Sequence, residues 1–113
     1  KLEERIDLLL TELNINFNRQ FWLEKRPFDF FLSDYNIILE VNGDFWHANP
    51  EIYKENDSLN IMNKTAKDLW IKDSIKKEKI ESLGFRYLVV WEKDVYKDFD
   101  KCVDRCISFI EGE

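Results

Sequence analysis

Pro27-Phe28-Asp29-Phe30-Phe31-Leu32, then Ser33-Asp34-Tyr35-Asn36, then Ile37-Ile38-Leu39-Glu40-Val41-Asn42-Gly43-Asp44-Phe45-Trp46-His47 is the stretch that decides the fold. Two runs of aromatic and branched residues flank a cluster of turn formers, the pattern of a β-hairpin. Each run carries one carboxylate. With a two-residue loop at Asp34-Tyr35, Ser33 faces Asn36, and the antiparallel count sets Asp29 directly opposite Glu40 on one face of the sheet. Like charges across a ladder destabilise it, and two close carboxylates stay ionised only when a cation sits between them. A divalent metal is the candidate cation.

Working outward, Leu2, Ile6, Leu9, Leu10 and Leu13 recur at helical spacing and predict a first helix ending near Asn14. Asn16 to Trp22 reads as a strand leading into the hairpin. Gly43 closes the second hairpin strand, where a missing Cβ permits a sharp turn or a close approach of backbone to ligand. Ala48 to Asn63 is polar and reads as a surface excursion, mobile without its substrate. Thr65 to Leu83 predicts a second helix stopped by Gly84. The run Phe85 to Trp91 is nearly all apolar and reads as a central strand buried on both faces. A last helix starts near Asp98 or Phe99. Within it Phe99, Cys102, Val103, Cys106, Ile107 and Ile110 form one apolar face, so the two cysteines read as reduced core thiols. The expected class is α/β in the order αβββαβα, a small mixed sheet flanked by helices.

The bulk numbers limit the functions. The 113 residues make one domain, and 44% hydrophobic content is enough for a two-layer core. No apolar run approaches the roughly 20 residues that span a bilayer, and no signal peptide is visible, so the expectation is an intracellular domain without membrane contact. The chain begins at Lys1 and reads as a fragment of a longer protein. A net charge of -6 argues against gripping a polyanion by bulk electrostatics. No Gly-rich phosphate loop and no GxSxG are present, which leaves nucleotide hydrolysis and serine hydrolysis without support.

Asp29 and Glu40 on adjacent strands are similar to the endonuclease pattern of an aspartate followed by an acidic residue, any residue and a lysine. Oxygen ligands of this kind suit magnesium. Asn42 stands where the lysine would be, so another group has to accept the proton or stabilise charge, and His47 is the only histidine.

Pro27-Phe28-Asp29, Gly43 to His47, and a helix carrying Asp73 ahead of Leu83 to Glu92 together resemble the very-short-patch-repair endonucleases. They resemble still more the phage-borne homing endonucleases that share that core, within the PD-(D/E)xK nuclease superfamily. The resemblance covers Glu3 to Glu92 and implies a restriction-endonuclease-like fold. It places Glu3 at the helical glutamate, Asp29 at the metal aspartate, Val41 at the residue lending a carbonyl, His47 at the histidine and Asp73 at the last acid. By this resemblance Asp29 and the Val41 carbonyl would hold magnesium, with manganese as a substitute, while His47 and Asp73 act on water or phosphate; Glu40, which the repair enzymes lack, joins the metal set through the common endonuclease pattern. Phe45 and Trp46 look like core residues, yet in the repair enzymes the matching pair wedges between bases. Lys76 and Lys77, with Lys64, Lys67, Lys72 and Lys79, form the basic concentration that would meet phosphates or form a solvated helix face.

The departures point away from mismatch nicking: Asn42 replaces a second histidine, and the zinc-binding Cys and His residues are absent, so no structural zinc is expected. The function expected is a magnesium-dependent endonuclease acting on double-stranded DNA in the homing manner, in a bacterial or phage setting. A tethered DNA-binding module would choose the site, and a homodimer would serve double-strand cleavage. The alternatives are an inactive binding module of the same fold and a mismatch-nicking repair enzyme.

Overall fold

The structure, a computed structural model, describes residues 1–59 and 63–112. Its elements are α1 (Leu2–Glu12), β1 (Asn18–Leu23), β2 (Arg26–Leu32), β3 (Ile37–Asn42), β4 (Ser58–Leu59), β5 (Lys64–Thr65), α2 (Ala66–Ser82), β6 (Arg86–Trp91), α3 (Glu92–Lys97) and α4 (Phe99–Ile110). Four strands form a sheet in the order β1-β2-β3-β6, with β1, β2 and β3 antiparallel and β6 parallel to β3. The α/β class and the mixed, helix-flanked sheet are those expected. No helix among the described residues is long and apolar enough to cross a membrane.

The sheet buries both faces. On one side Phe30, Leu32, Ile37, Leu39, Leu88 and Val90 pack with Ile6 and Leu10 of α1, Val95 of α3, and Cys102 and Cys106 of α4. The two cysteines are free and buried in this core. On the other side Phe28, Ile38 and Tyr87 pack against Ile80 of α2. A third, smaller cluster of Ala48, Leu59, Ala66 and Leu69, flanked by Phe45 and Trp70, seats the segment after β3 on the start of α2.

Three expectations need correction. The strand read as central, β6, lies at the end of the sheet order, pairing only with β3 among the described residues. Its apolar run reflects burial between α2 and α4 rather than two flanking strands, and Arg105 Nε of α4 donates to the Val89 carbonyl at 3.1 Å, protecting that edge. The Ala48 to Asn63 segment is not merely a surface excursion. Ala48, Asn49 and Leu59 are buried, and Ser58–Leu59 pairs with Lys64–Thr65 as a small ribbon; Asn60 to Met62 lie outside the described residues. The hairpin loop holds four residues, Ser33 to Asn36, with Asn36 at φ 55°. The register is nonetheless the one counted from sequence, with Phe30 opposite Leu39 and Leu32 opposite Ile37. The short helix α3 was not foreseen.

Helix α2 is fixed at its start by a capping box. The Thr65 hydroxyl accepts from the Asp68 amide and the Asp68 carboxylate accepts from the Thr65 amide, satisfying two otherwise unpaired helix donors. It ends where Gly84 takes φ 96°, a left-handed turn that glycine accepts without strain. Thr65→Ala should lower unfolding free energy by about 1 kcal/mol in urea denaturation, with Thr65→Ser close to wild type. Equal stability of the alanine and serine variants would contradict the cap.

Candidate active site

Asp29 sits where the sheet gives way. The β2–β3 ladder pairs residues 30 to 32 with 37 to 39, and the next pair in register is Asp29 with Glu40. There the backbones no longer bond each other: the Asp29 amide donates to Glu40 Oε2 at 3.0 Å, and the Val41 amide donates to Asp29 Oδ2 at 2.8 Å. On the opposite side of β2, Gln20 is the residue of β1 that lacks a ladder partner, and it takes φ 55°, uncommon for a side-chain-bearing residue. Phe28 packs on the α2 side of the sheet while Phe30 and Leu32 pack on the other. Alternate strand residues should share a face, so β2 changes phase at Asp29. The disruption turns a carboxylate into the sheet instead of out to water.

The carboxylate responds to that placement. Burial pushes the Asp29 carboxyl up to about 7; the Val41 amide opposes the shift, and the charges of Glu40 and Glu3 add to it. What Val41 presents to Asp29 is its amide. Glu40 has a cation of its own, Lys76 Nζ of α2, at 3.2 Å from Oε1, with the two side chains only 14% and 12% exposed.

A second pair lies beside the first. His47 Nδ1 is 2.9 Å from Asp73 Oδ2. An ionised carboxylate only accepts, so Nδ1 carries the proton and Nε2 is the nitrogen left to act. The turn bearing His47 is pinned at both ends. Asp44 receives Asn49 Nδ2 at 2.9 Å and the Lys93 amide of α3 at 3.3 Å, and its own amide donates to Glu92 Oε1 at 3.0 Å. Trp70 Nε1 of α2 donates to the Ala48 carbonyl at 2.6 Å. Gly43 is not forced by the protein itself: an added Cβ would meet Trp46 Cδ1 at 3.5 Å, ordinary contact.

His47 and Asp73 line a cleft of about 480 Å³ together with Arg26, Trp46, Lys72, Lys76 and Lys79. Glu24 and Asp73 are the acids lining it, so an acidic chain presents a basic cleft here. Lys79 is paired with Glu24 at 3.0 Å. Trp46, which reads in sequence as a core residue, is 60% exposed, whereas Phe45 packs against it in the small cluster. Lys77 is exposed and does not line the cleft; Lys64 and Lys67 are also exposed.

The expected residues thus fall into two joined groups, Asp29 with Glu40 and His47 with Asp73. Glu3 stands further out: its direct partner is Arg19 of β1, Nη2 to Oε1 at 3.0 Å, though its charge reaches Asp29. Tyr87 was missed by sequence reasoning, since it reads as one more apolar residue of β6. Its hydroxyl is buried within reach of the Glu40 carboxylate but makes no hydrogen bond of good geometry among the described residues. Burial pushes the phenol far up, and the charges of Glu40, Asp73 and Asp29 push it further, so Tyr87 lies where the two carboxylate groups converge.

The Asp29 shift sets the sign of a pH dependence. The native carboxyl holds a proton that the unfolded chain releases, so its contribution to stability is full below the unfolded value and is lost as pH rises through about 7. Without divalent cations, the stability of the wild type relative to Asp29→Asn should therefore fall between about pH 4 and pH 7, read by urea denaturation at each pH. A difference independent of pH would contradict this environment for Asp29.

No protein-family model matches the chain, and no curated protein matches it. Among solved structures it is similar to the homing endonuclease I-Bth0305I catalytic domain, with 23% sequence identity and a TM-score of 0.67, over 96% of this chain and 92% of that one. The likeness is one of fold: this chain has the mixed α/β architecture of an endonuclease catalytic domain.

Proposed function

We propose that this chain is the catalytic domain of a divalent-metal-dependent DNA endonuclease of the homing type, related to the very-short-patch-repair-like enzymes. The observation that carries the reading is the His47–Asp73 pair on the wall of a basic cleft in an acidic protein, with Lys76 of that wall paired to Glu40 of the Asp29–Glu40 pair behind it. The endonuclease fold of the similar structure supports it.

Magnesium, or manganese in its place, fits the donors present. Asp29, Glu40 and the Val41 carbonyl offer hard oxygen, and magnesium is held by one or two carboxylates while keeping several waters. Among the described residues no group of three or more His, Cys, Asp or Glu could hold a metal ion, so an ion here would rest on the two carboxylates, backbone oxygen and its own waters. The buried Tyr87 hydroxyl, which reaches Glu40 without a hydrogen bond of good geometry, is a polar atom that a hydrated cation would satisfy. When bound, the ion supplies charge neutralisation at the phosphate and acidity to water.

The chain's own residues do the rest. Asp73 holds His47 with its proton on Nδ1, so Nε2 takes a proton from the attacking water, and the Asp73 carboxylate stabilises the imidazolium that results. The water oxygen bonds to phosphorus and the bond to the 3′ oxygen breaks. That oxygen takes up a proton, leaving a 3′-hydroxyl and a 5′-phosphate. Lys72 and Arg26 lie on the cleft wall to hold neighbouring phosphates, and the exposed ring of Trp46 offers a stacking or wedging surface to bases.

With a net charge of -6, the domain should bind duplex DNA alone no more tightly than roughly 10⁻⁶ M near physiological salt, so a tethered module chooses the site and a second copy serves the second strand. Anisotropy titration checks the affinity; nanomolar, sequence-selective binding by these residues would overturn that division of labour. For the chemistry, supercoiled plasmid should be nicked in magnesium and not in EDTA, and His47→Ala should slow the single-turnover rate by roughly 10²-fold or more with the fold intact. Wild-type rates for His47→Ala would remove it from the mechanism. Absence of nicking by this chain and by any longer parent protein would favour an inactive binding module.

A further inference from the structure

Lys76 is placed unlike the other cations of this chain. Every other lysine or arginine ion pair among the described residues leaves at least one partner a third or more exposed, whereas Lys76 and Glu40 are both largely buried. A lysine loses hydration and rotamer freedom when buried, and a buried ion pair is weak as a source of stability. Its location gives it a different use. Lys76 lines the cleft with His47 and Asp73, while Asp29 and Glu40 do not, so the ammonium stands between the cleft and the carboxylates. Helix α2 carries Asp73 and Lys76 three residues apart on one face, which ties the ammonium to the same rigid element that holds His47. Nζ also lies 5.8 Å from the centre of the Tyr87 ring, within range of cation–π attraction.

One ammonium cannot neutralise two carboxylates. Lys76 serves Glu40, and Asp29 keeps only the Val41 amide. Resting on the metal-dependent nuclease reading above, we infer that Lys76 is the built-in counter-ion of the Asp29–Glu40 pair, which a divalent cation displaces from Glu40, and that the displaced ammonium turns into the cleft to meet a DNA phosphate. The four-carbon stem permits the exchange, because its ammonium is a compact point charge on a flexible chain, and the cleft is the open side that Lys76 already borders. The device lessens the repulsion between the carboxylates before the metal arrives. It also couples metal binding to phosphate binding, since the ammonium becomes available to DNA only after the ion has replaced it.

The test uses calorimetric titration of manganese into the DNA-free protein, then single-turnover cleavage at saturating manganese, for wild type, Lys76→Met, Lys76→Arg and Lys72→Met. Removing the competitor should tighten manganese binding in Lys76→Met on the order of 10-fold. Lys76→Arg, which keeps a cation at Glu40, should stay near wild type in affinity, as should Lys72→Met. Cleavage by Lys76→Met should fall by roughly 10-fold or more despite the tighter metal, whereas Lys72→Met should weaken DNA binding and leave manganese affinity alone. Should Lys76→Met fail to fold, the pair Lys76→Met with Glu40→Gln removes both charges and restores folding, and its manganese affinity should fall below wild type. Unchanged or weaker manganese binding by folded Lys76→Met overturns the inference, and so does manganese binding by none of the proteins. Tighter binding in Lys76→Met by a chain that cleaves no DNA would sustain the counter-ion role while refuting the nuclease reading.

Discussion

Everything at this site follows from the cost of taking Asp29 and Glu40 out of water side by side. A carboxylate inside a sheet needs donors or cations to replace its hydration, and the chain supplies them from three directions. The strand amides of Asp29 and Val41 turn from ladder bonding to carboxylate bonding, and Lys76 reaches in from α2. The compensation is incomplete, as the upward shift of the Asp29 carboxyl records. It also disturbs the sheet, stopping the β2–β3 ladder, leaving Gln20 in a left-handed conformation and changing the phase of β2. A fold selected for stability alone would put apolar residues here; strain retained at one spot is the usual companion of a working site.

Helix α2 organises the rest. Ile80 docks it on the sheet, Trp70 fixes the carbonyl next to His47, Asp73 orients the imidazole, and Lys76 neutralises Glu40. Two chemical groups that come from separate loops and strands are thereby referred to one rigid body, which is how catalytic groups are held to useful tolerances. The capping box at Thr65 and the left-handed Gly84 define where that body begins and ends.

The charge distribution would reconcile an acidic domain with the polyanionic substrate proposed for it. The acids are spread over the surface, while Arg26, Lys72, Lys76 and Lys79 collect along one cleft. Local potential in a concave, poorly solvated groove matters more to a phosphate than net charge does. Weak overall attraction with a locally receptive cleft suits a catalytic part whose placement on DNA is decided elsewhere.

The sequence by itself determined the main helices, the sheet strands and the hairpin register, because alternation along a strand and the count across a turn are local properties. It therefore predicted Asp29 opposite Glu40, even though the loop proved to hold four residues rather than two. It also marked His47 and Asp73, through resemblance rather than spacing, since 26 positions separate them and only the docking of α2 closes the gap to 2.9 Å. What only the tertiary structure decided was the sheet order that leaves β6 at the edge, the exposure of Trp46, the buried hydroxyl of Tyr87 beside Glu40 and the inward turn of Lys76. In sequence, a lysine that neutralises a buried carboxylate looks the same as one on a solvated helix face. The difference lies in which face α2 turns to the sheet, and that is set by the packing of Ile80 against Phe28, Ile38 and Tyr87, residues far apart along the chain.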